Sequence, residues 1–174
     1  MNDGQRAAVM IELASKLREK GSWCGETHLQ KAAYLYQTLL DPGLDFEFTL
    51  YMYGPFSFDL RDSLGALRSE GLFELVPVIQ YGPHLYPTEA GAELLGRFPN
   101  AIAKRRERID FIAEQVGARG VNELERLATA LWVTQKLPAG ASVQERVEAL
   151  REAKPHVKDT LAEAAILEID QIRR

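Results

Sequence analysis

Cysteine is almost missing from this chain: of 174 residues only Cys24 carries a thiol, so no internal disulfide can staple the fold. A lone thiol fits a reducing compartment, and a cytoplasmic protein is the expectation. Apolar runs extend over only a few residues, as in Leu75–Ile79, which Pro77 interrupts. None approaches the roughly 20 residues needed to cross a bilayer. The sequence does not open on a basic stretch followed by an apolar run, so no secretory signal is read there. Histidine is scarce as well. His28, His84 and His156 lie far apart, and no His-x-x-x-His or Cys-x-x-Cys spacing exists, so no metal site is predicted. There is no Gly-x-Ser-x-Gly elbow, no Walker loop and no dinucleotide fingerprint. Cys24 and His28 are four apart, but Gly25 intervenes and the next helix is expected to begin near Thr27, which makes Cys24 a structural thiol. No catalytic residue and no cofactor site follow from these patterns, and the chain is expected not to be an enzyme.

What is present is a core-forming sequence with strong periodicity. Apolar types make up 46% of the residues, enough for a domain that needs no staples. Met10, Leu13, Ala14 and Leu17 mark a first helix, with Asp3 as its cap and Gly21 as its stop. Leu29, Ala32, Ala33, Tyr36 and Leu40 mark a second, from about Thr27 to Leu40, ended by Asp41-Pro42-Gly43. Phe46, Phe48, Leu50 and Met52 alternate with Glu47, Thr49, Tyr51 and Tyr53, which predicts one strand broken by Gly54-Pro55. Ser57 then caps a third helix with Leu60, Leu64 and Leu67 on one stripe, and Gly71 closes it. Leu72 to Pro87 reads as a hairpin with its tip at Tyr81-Gly82-Pro83, followed by a short helix capped by Thr88. The order helix, helix, strand, helix, hairpin is that of a winged helix-turn-helix.

After Phe98-Pro99 the pattern is helical throughout. One helix is expected from Asn100 to about Val116, one through Leu124–Leu131, one after the capping box Ser142–Glu145, and a last one carrying Leu161, Ala165, Ile169 and Ile172. The fold class predicted is therefore mainly α with a small antiparallel β-sheet. A winged helix-turn-helix-like part, residues 1–97, carries a helical extension, residues 98–174, packed on it as one compact domain.

Charge argues against the obvious use of a winged helix. Residues 1–97 carry eight Lys or Arg and thirteen Asp or Glu, a net −5, while residues 98–174 carry a net +1. The hairpin, Leu72–Thr88, holds Glu74 and neither Lys nor Arg. Affinity for DNA comes largely from cations that neutralise phosphates, so nucleic acid is an unfavourable partner for this face. The one basic cluster, Lys104-Arg105-Arg106 with Arg108, reads best as a solvated helix face beside Glu107 and Asp110.

Aromatics concentrate in the first part: Tyr34, Tyr36, Tyr51, Tyr53, Phe56, Phe58, Tyr81 and Tyr86. Tyr51 and Tyr53 leave the apolar strand face. The favoured expectation is that the C-terminal helices cover them; the other reading is an exposed contact patch. The surface expected to meet a partner is the third helix and the hairpin, at Phe58, Asp59, Asp62, Tyr81 and His84. Asp59 and Asp62 rotate away from the leucine stripe, and a hairpin tip protrudes. Tyr53-Gly54-Pro55-Phe56 is expected to determine the fold first: Tyr53 closes the strand, Gly54 permits a tight backbone, and Pro55 sets φ where the helix starts.

Three stretches resemble a known family. Leu29-Gln30-Lys31-Ala32-Ala33-Tyr34-Leu35-Tyr36-Gln37, Tyr51-Met52-Tyr53-Gly54-Pro55-Phe56-Ser57, and Leu124–Trp132 followed by Lys154-Pro155-His156 are similar, in order, to signatures of YwgA-like proteins. The wider relatives are the SocA-like, or Panacea, antitoxin domains and the C-terminal domain of antitoxins that oppose DNA-ADP-ribosylating toxins. The resemblance implies a domain that binds a partner protein, often a toxin, and brings no catalytic residues. The expected function is a non-enzymatic protein-interaction module, antitoxin-like or regulatory, that meets a toxin or nucleic-acid enzyme through its acidic winged face. The alternative is a DNA-binding winged-helix regulator. The broad apolar stripes of the C-terminal helices leave self-association open.

Overall fold

The computed structural model describes residues 1–40, 42–79 and 82–173. Among these the chain is mainly α-helical, with two separate two-stranded antiparallel sheets. Helices α1 (Asp3–Glu19) and α2 (Glu26–Leu39) come first, and a 3-10 turn follows at Pro42–Leu44. A short hairpin joins β1 (Thr49–Tyr51) to β2 (Gly54–Phe56). Next are α3 (Phe58–Ser69), a second hairpin of β3 (Phe73–Val76) and β4 (His84–Pro87), and α4 (Glu89–Arg97). The remainder is α5 (Pro99–Ala103), α6 (Arg106–Val116), α7 (Val121–Lys136), α8 (Val143–Ala153) and α9 (Asp159–Ile172).

Most local signals act as read. Ser57 and Thr88 cap α3 and α4 by accepting from the Leu60 and Gly91 amides. Ser142 forms its capping box with Glu145. Gly21 and Gly71 follow their helices at φ +88° and +72°, where a side chain would be strained. The cap of α1, however, is Asn2 and not Asp3: its side chain accepts from the Gln5 amide, and Gln5 reaches back to the Asn2 amide.

The largest departure concerns the strand expected over residues 46–53. Only Thr49–Tyr51 are paired, and Gly54-Pro55 do not end the sheet but begin its second strand. Phe46 is diverted because the Gln37 amide holds both its N–H and its C=O, each at 2.9 Å. A two-residue turn, Met52-Tyr53, then reverses the chain, and Gly54 leaves it at φ +83°. Tyr53 is therefore a turn residue, and Pro55 lies in β2 opposite Leu50 rather than at the start of a helix. Further on, the single helix expected from Asn100 bends between α5 and α6. In α9 the buried stripe is Ala162, Ala165, Ile166 and Ile169, which leaves Leu161 exposed.

The buried side chains form one continuous cluster from Ala8 to Ile169. Within it α1 packs on α5 and α6, α2 packs on α6 and α7, and β2 lies against both α2 and α7. The last three helices pack mutually, with Arg146 of α8 bound to Asp170 of α9 at 2.6 Å, and Arg119, in the loop before α7, bound to Glu168 of α9.

Candidate functional site: a clamped aromatic hairpin

The β1–β2 hairpin is three residues per strand, too short to hold itself. Side chains from distant parts of the chain hold it instead. Gln30 of α2 pairs with the backbone of Ser57, donating to its carbonyl and accepting from its amide, both at 2.9 Å. Lys31, one residue on, donates to the Pro55 carbonyl at 2.8 Å. From the other side Lys154, just after α8, donates to the carbonyls of Tyr51, at 3.0 Å, and Met52. Glu125 of α7 supplies the counter-charge: its Oε1 lies 2.9 Å from Lys154 Nζ, an ion contact without hydrogen-bond alignment. His156 Nε2 stands 3.8 Å from the same oxygen.

All three central charges are out of water: Lys31 is 1% exposed, Lys154 4% and Glu125 4%. Burial lowers the Lys31 pKa to about 8; Glu125 opposes that shift and Lys154 adds to it. The approach of the hairpin to α7 is equally tight. A Cβ on Gly54 would lie 2.9 Å from Thr129 Oγ1, and that hydroxyl is fixed by its 2.7 Å bond to the Glu125 carbonyl. The stretches around Lys31, Tyr51–Ser57, Glu125 and Lys154–His156 thus meet at one place, although up to 103 residues separate the partners.

What the clamp presents to solvent is apolar. Tyr51 is 51% exposed, Met52 67%, Tyr53 58% and Phe58 44%. The favoured expectation that the C-terminal helices cover Tyr51 and Tyr53 is therefore overturned. Those helices grip the hairpin through its backbone and through Gly54, which leaves the tyrosine rings outside. Tyr51, Phe56 and Phe58 form a ring cluster, with centroids 5.1 to 5.8 Å apart. Such edge-on packing fixes the rings without hiding them.

The predicted contact residues fall in different settings. Phe58 joins the aromatic cluster at the start of α3, and Asp59 beside it is exposed. Asp62 is exposed too, but the Arg61 guanidinium binds it through Nε at 2.9 Å and Nη2 at 2.8 Å, which removes much of its field. His84 lies on the other hairpin and is turned inward. Its ring stacks on Trp23 at 3.7 Å, and its Nδ1 is 2.5 Å from the Trp23 carbonyl. With Leu85 N–H donating to the Cys24 carbonyl, this fastens β4 to the loop before α2. Tyr81 lies outside the described residues.

Cys24 is fully buried at φ +51°, and burial pushes its thiol up to about 12, so it holds no thiolate for chemistry. Burial likewise lowers the pKa of His28. Sequence reasoning missed Glu125, Thr129 and Lys154 as parts of one site. The available signal was charge inside apolar helical runs: Lys31 lies within the wholly buried stretch His28–Tyr36 of α2. No helix among the described residues is long and apolar enough to cross a membrane. No protein-family model matches the chain, and no curated protein matches it.

Proposed function

We propose that this chain is a non-enzymatic protein-interaction module whose contact face is the clamped aromatic hairpin together with the start of α3. The observation that carries this reading is the exposure of Tyr51, Met52, Tyr53 and Phe58 on a backbone held by the buried Lys31 and Lys154, the latter paired with buried Glu125. Exposed apolar patches of this kind mark interaction sites, and tyrosine, phenylalanine and methionine are enriched at interface centres. Tyr51 and Phe58, already packed with Phe56 in a ring cluster, lose little side-chain entropy when a partner docks. Asp59 and Asp62 belong to the rim of this face; Asp59, without an ion pair among the described residues, sets orientation and encounter rate more than affinity, while Asp62 acts as a pair with Arg61.

The resemblance to YwgA-like proteins supports the same reading. The residues that carry it are the ones that build the clamp, and the domains it points to bind protein partners, toxins among them. A winged-helix arrangement of α1–α3 and the β3–β4 hairpin, used as a scaffold in the cytoplasm, is part of the proposal. DNA binding through these elements is disfavoured, because the 72–88 segment carries no cation and Arg61 is engaged by Asp62.

The test is affinity capture of the tagged full chain from its native host at physiological salt. The comparison is with a Tyr51→Ser, Tyr53→Ser variant of unchanged unfolding midpoint. Recovery of a discrete protein by the parent chain and its loss by the variant is expected. Recovery of the same proteins by both contradicts the reading. A second arm, Asp59→Lys with Asp62→Lys, separates the charged rim from the aromatic centre.

A further inference from the structure

A cavity of about 430 Å³ lies between the first turns of α1 and the C-terminal half of α3, on residues the proposed contact face does not use. Its volume falls within the range of small-molecule sites, about 300 to 1,000 Å³. Its walls are apolar: Met10, Phe46 and Leu67 are buried at its base, with Leu72 and Leu94 beside them. Arg6 is the one cation among the lining residues. The guanidinium lies over the Phe46 ring, 5.4 Å from its centroid. Its Nε is shielded from water and has no hydrogen-bond partner. Among the described residues the carboxylate within ion-pair reach of the guanidinium is Asp3, whose Oδ1 is 4.0 Å from Nη2 on a fully solvated side chain, too loose a contact to satisfy the fork.

We propose that this cavity binds a small, largely apolar molecule bearing a single carboxylate, which pairs with Arg6. A planar guanidinium selects a carboxylate because two parallel N–H donors match its two oxygens. The apolar walls take the body of the ligand, and the Arg6 side chain, 27% exposed, keeps part of its guanidinium open to the carboxylate. Asp3 and Glu70 also line the cavity and oppose every negative charge brought into it, so a dianion such as a phosphate monoester is held less well than a monocarboxylate. The proposal does not depend on the partner-binding reading.

The test is calorimetric titration of the full chain with 1-naphthoate and with its neutral isostere, 1-naphthamide. Naphthoate is expected to bind saturably and at least about tenfold more tightly than the amide. Arg6→Met should abolish that preference while leaving the circular dichroism and unfolding midpoint near the parent's. Arg6→Lys, which keeps the charge but not the fork, should retain part of it. Ala7→Trp, which fills the cavity, should weaken both compounds and so locate the site. The proposal is overturned if neither compound binds up to about 1 mM. It is equally overturned if amide and carboxylate bind alike, or if the preference survives Arg6→Met.

Discussion

Gly54→Ala is the substitution that most sharply tests the approach of the hairpin to α7. Two separate penalties meet at this position. The backbone is at φ +83°, where an L side chain costs about 1–2 kcal/mol. The added Cβ would also lie 2.9 Å from Thr129 Oγ1 and 3.4 Å from the Glu125 carbonyl. Neither neighbour is the free end of a flexible chain. The Thr129 hydroxyl is fully buried and bonded to the Glu125 carbonyl at 2.7 Å. Relief therefore requires movement of the hairpin, an overpacking cost of about 1–3 kcal/mol. The sum is roughly 2–5 kcal/mol, a large share of the 5–15 kcal/mol that holds a typical domain together. For a chain of this length each kcal/mol lowers the melting temperature by about 2–4 °C, so a fall on the order of 10 °C is expected. Urea unfolding of the four members of the cycle Gly54→Ala, Thr129→Ala measures both parts. Removal of the hydroxyl should recover the steric share and leave the backbone share, giving a coupling of about 1 kcal/mol or more. A Gly54→Ala variant within 0.5 kcal/mol of the parent, about the scatter of ordinary surface changes, would refute the reasoning.

Other consequences follow from the buried charges and the loop before α2. Lys154→Met leaves the Tyr51 and Met52 carbonyls without their donor and Glu125 without its closest cation; a loss of about 3–5 kcal/mol in chemical denaturation is expected. Lys31 is held at about 8 when folded, below the ordinary value of 10.5, so between those values the unfolded chain binds more protons than the native one. Its charge is thus a cost below about pH 8 that fades as the pH climbs. The stability of the parent relative to Lys31→Met should therefore rise from pH 8 to pH 10, as read by urea midpoints across that range. Cys24 should react with a thiol reagent only as fast as the protein unfolds, because it is buried and its thiol is held near 12; rapid labelling of native protein would contradict its placement. His84→Ala removes the ring stacked on Trp23 and should increase hydrogen exchange in β4 before it alters the rest of the fold.

The helices were readable because caps and apolar periods are local. Ser57, Thr88 and Ser142 each announce a helix within four residues, and the stripes of α1 and α3, and that of α2 as far as Tyr36, bury the residues that the 3.6-residue period selects, while Leu40 is only partly buried. The β1–β2 hairpin was not readable in this way. Alternation from Phe46 to Tyr53 has the period of a strand, but what decides its pairing is Gln37 on Phe46 and Lys154 on Tyr51 and Met52, contacts across 9 and up to 103 residues. The exposure of Tyr51 and Tyr53 was hidden for the same reason. Whether a tyrosine on the second face of a strand is covered depends on where α7 stops, and that is set by Gly54 against Thr129. Lys31 stands inside a helical stretch rich in apolar residues, whereas Glu125 and Lys154 look like ordinary surface charges in sequence; only the convergence of the three makes a clamp.

The central claim is that the clamped aromatic hairpin is where a partner docks. Its most direct measurement places a photo-crosslinking amino acid at Tyr53, 58% exposed on the turn, and separately at Leu161, 42% exposed on α9, in the full chain expressed in its native host. The account predicts a discrete crosslinked protein from position 53 that is absent from position 161 and disappears when Lys154→Met loosens the hairpin. Crosslinks from position 161 alone, or none from position 53 in cells where the chain is folded and abundant, would contradict it.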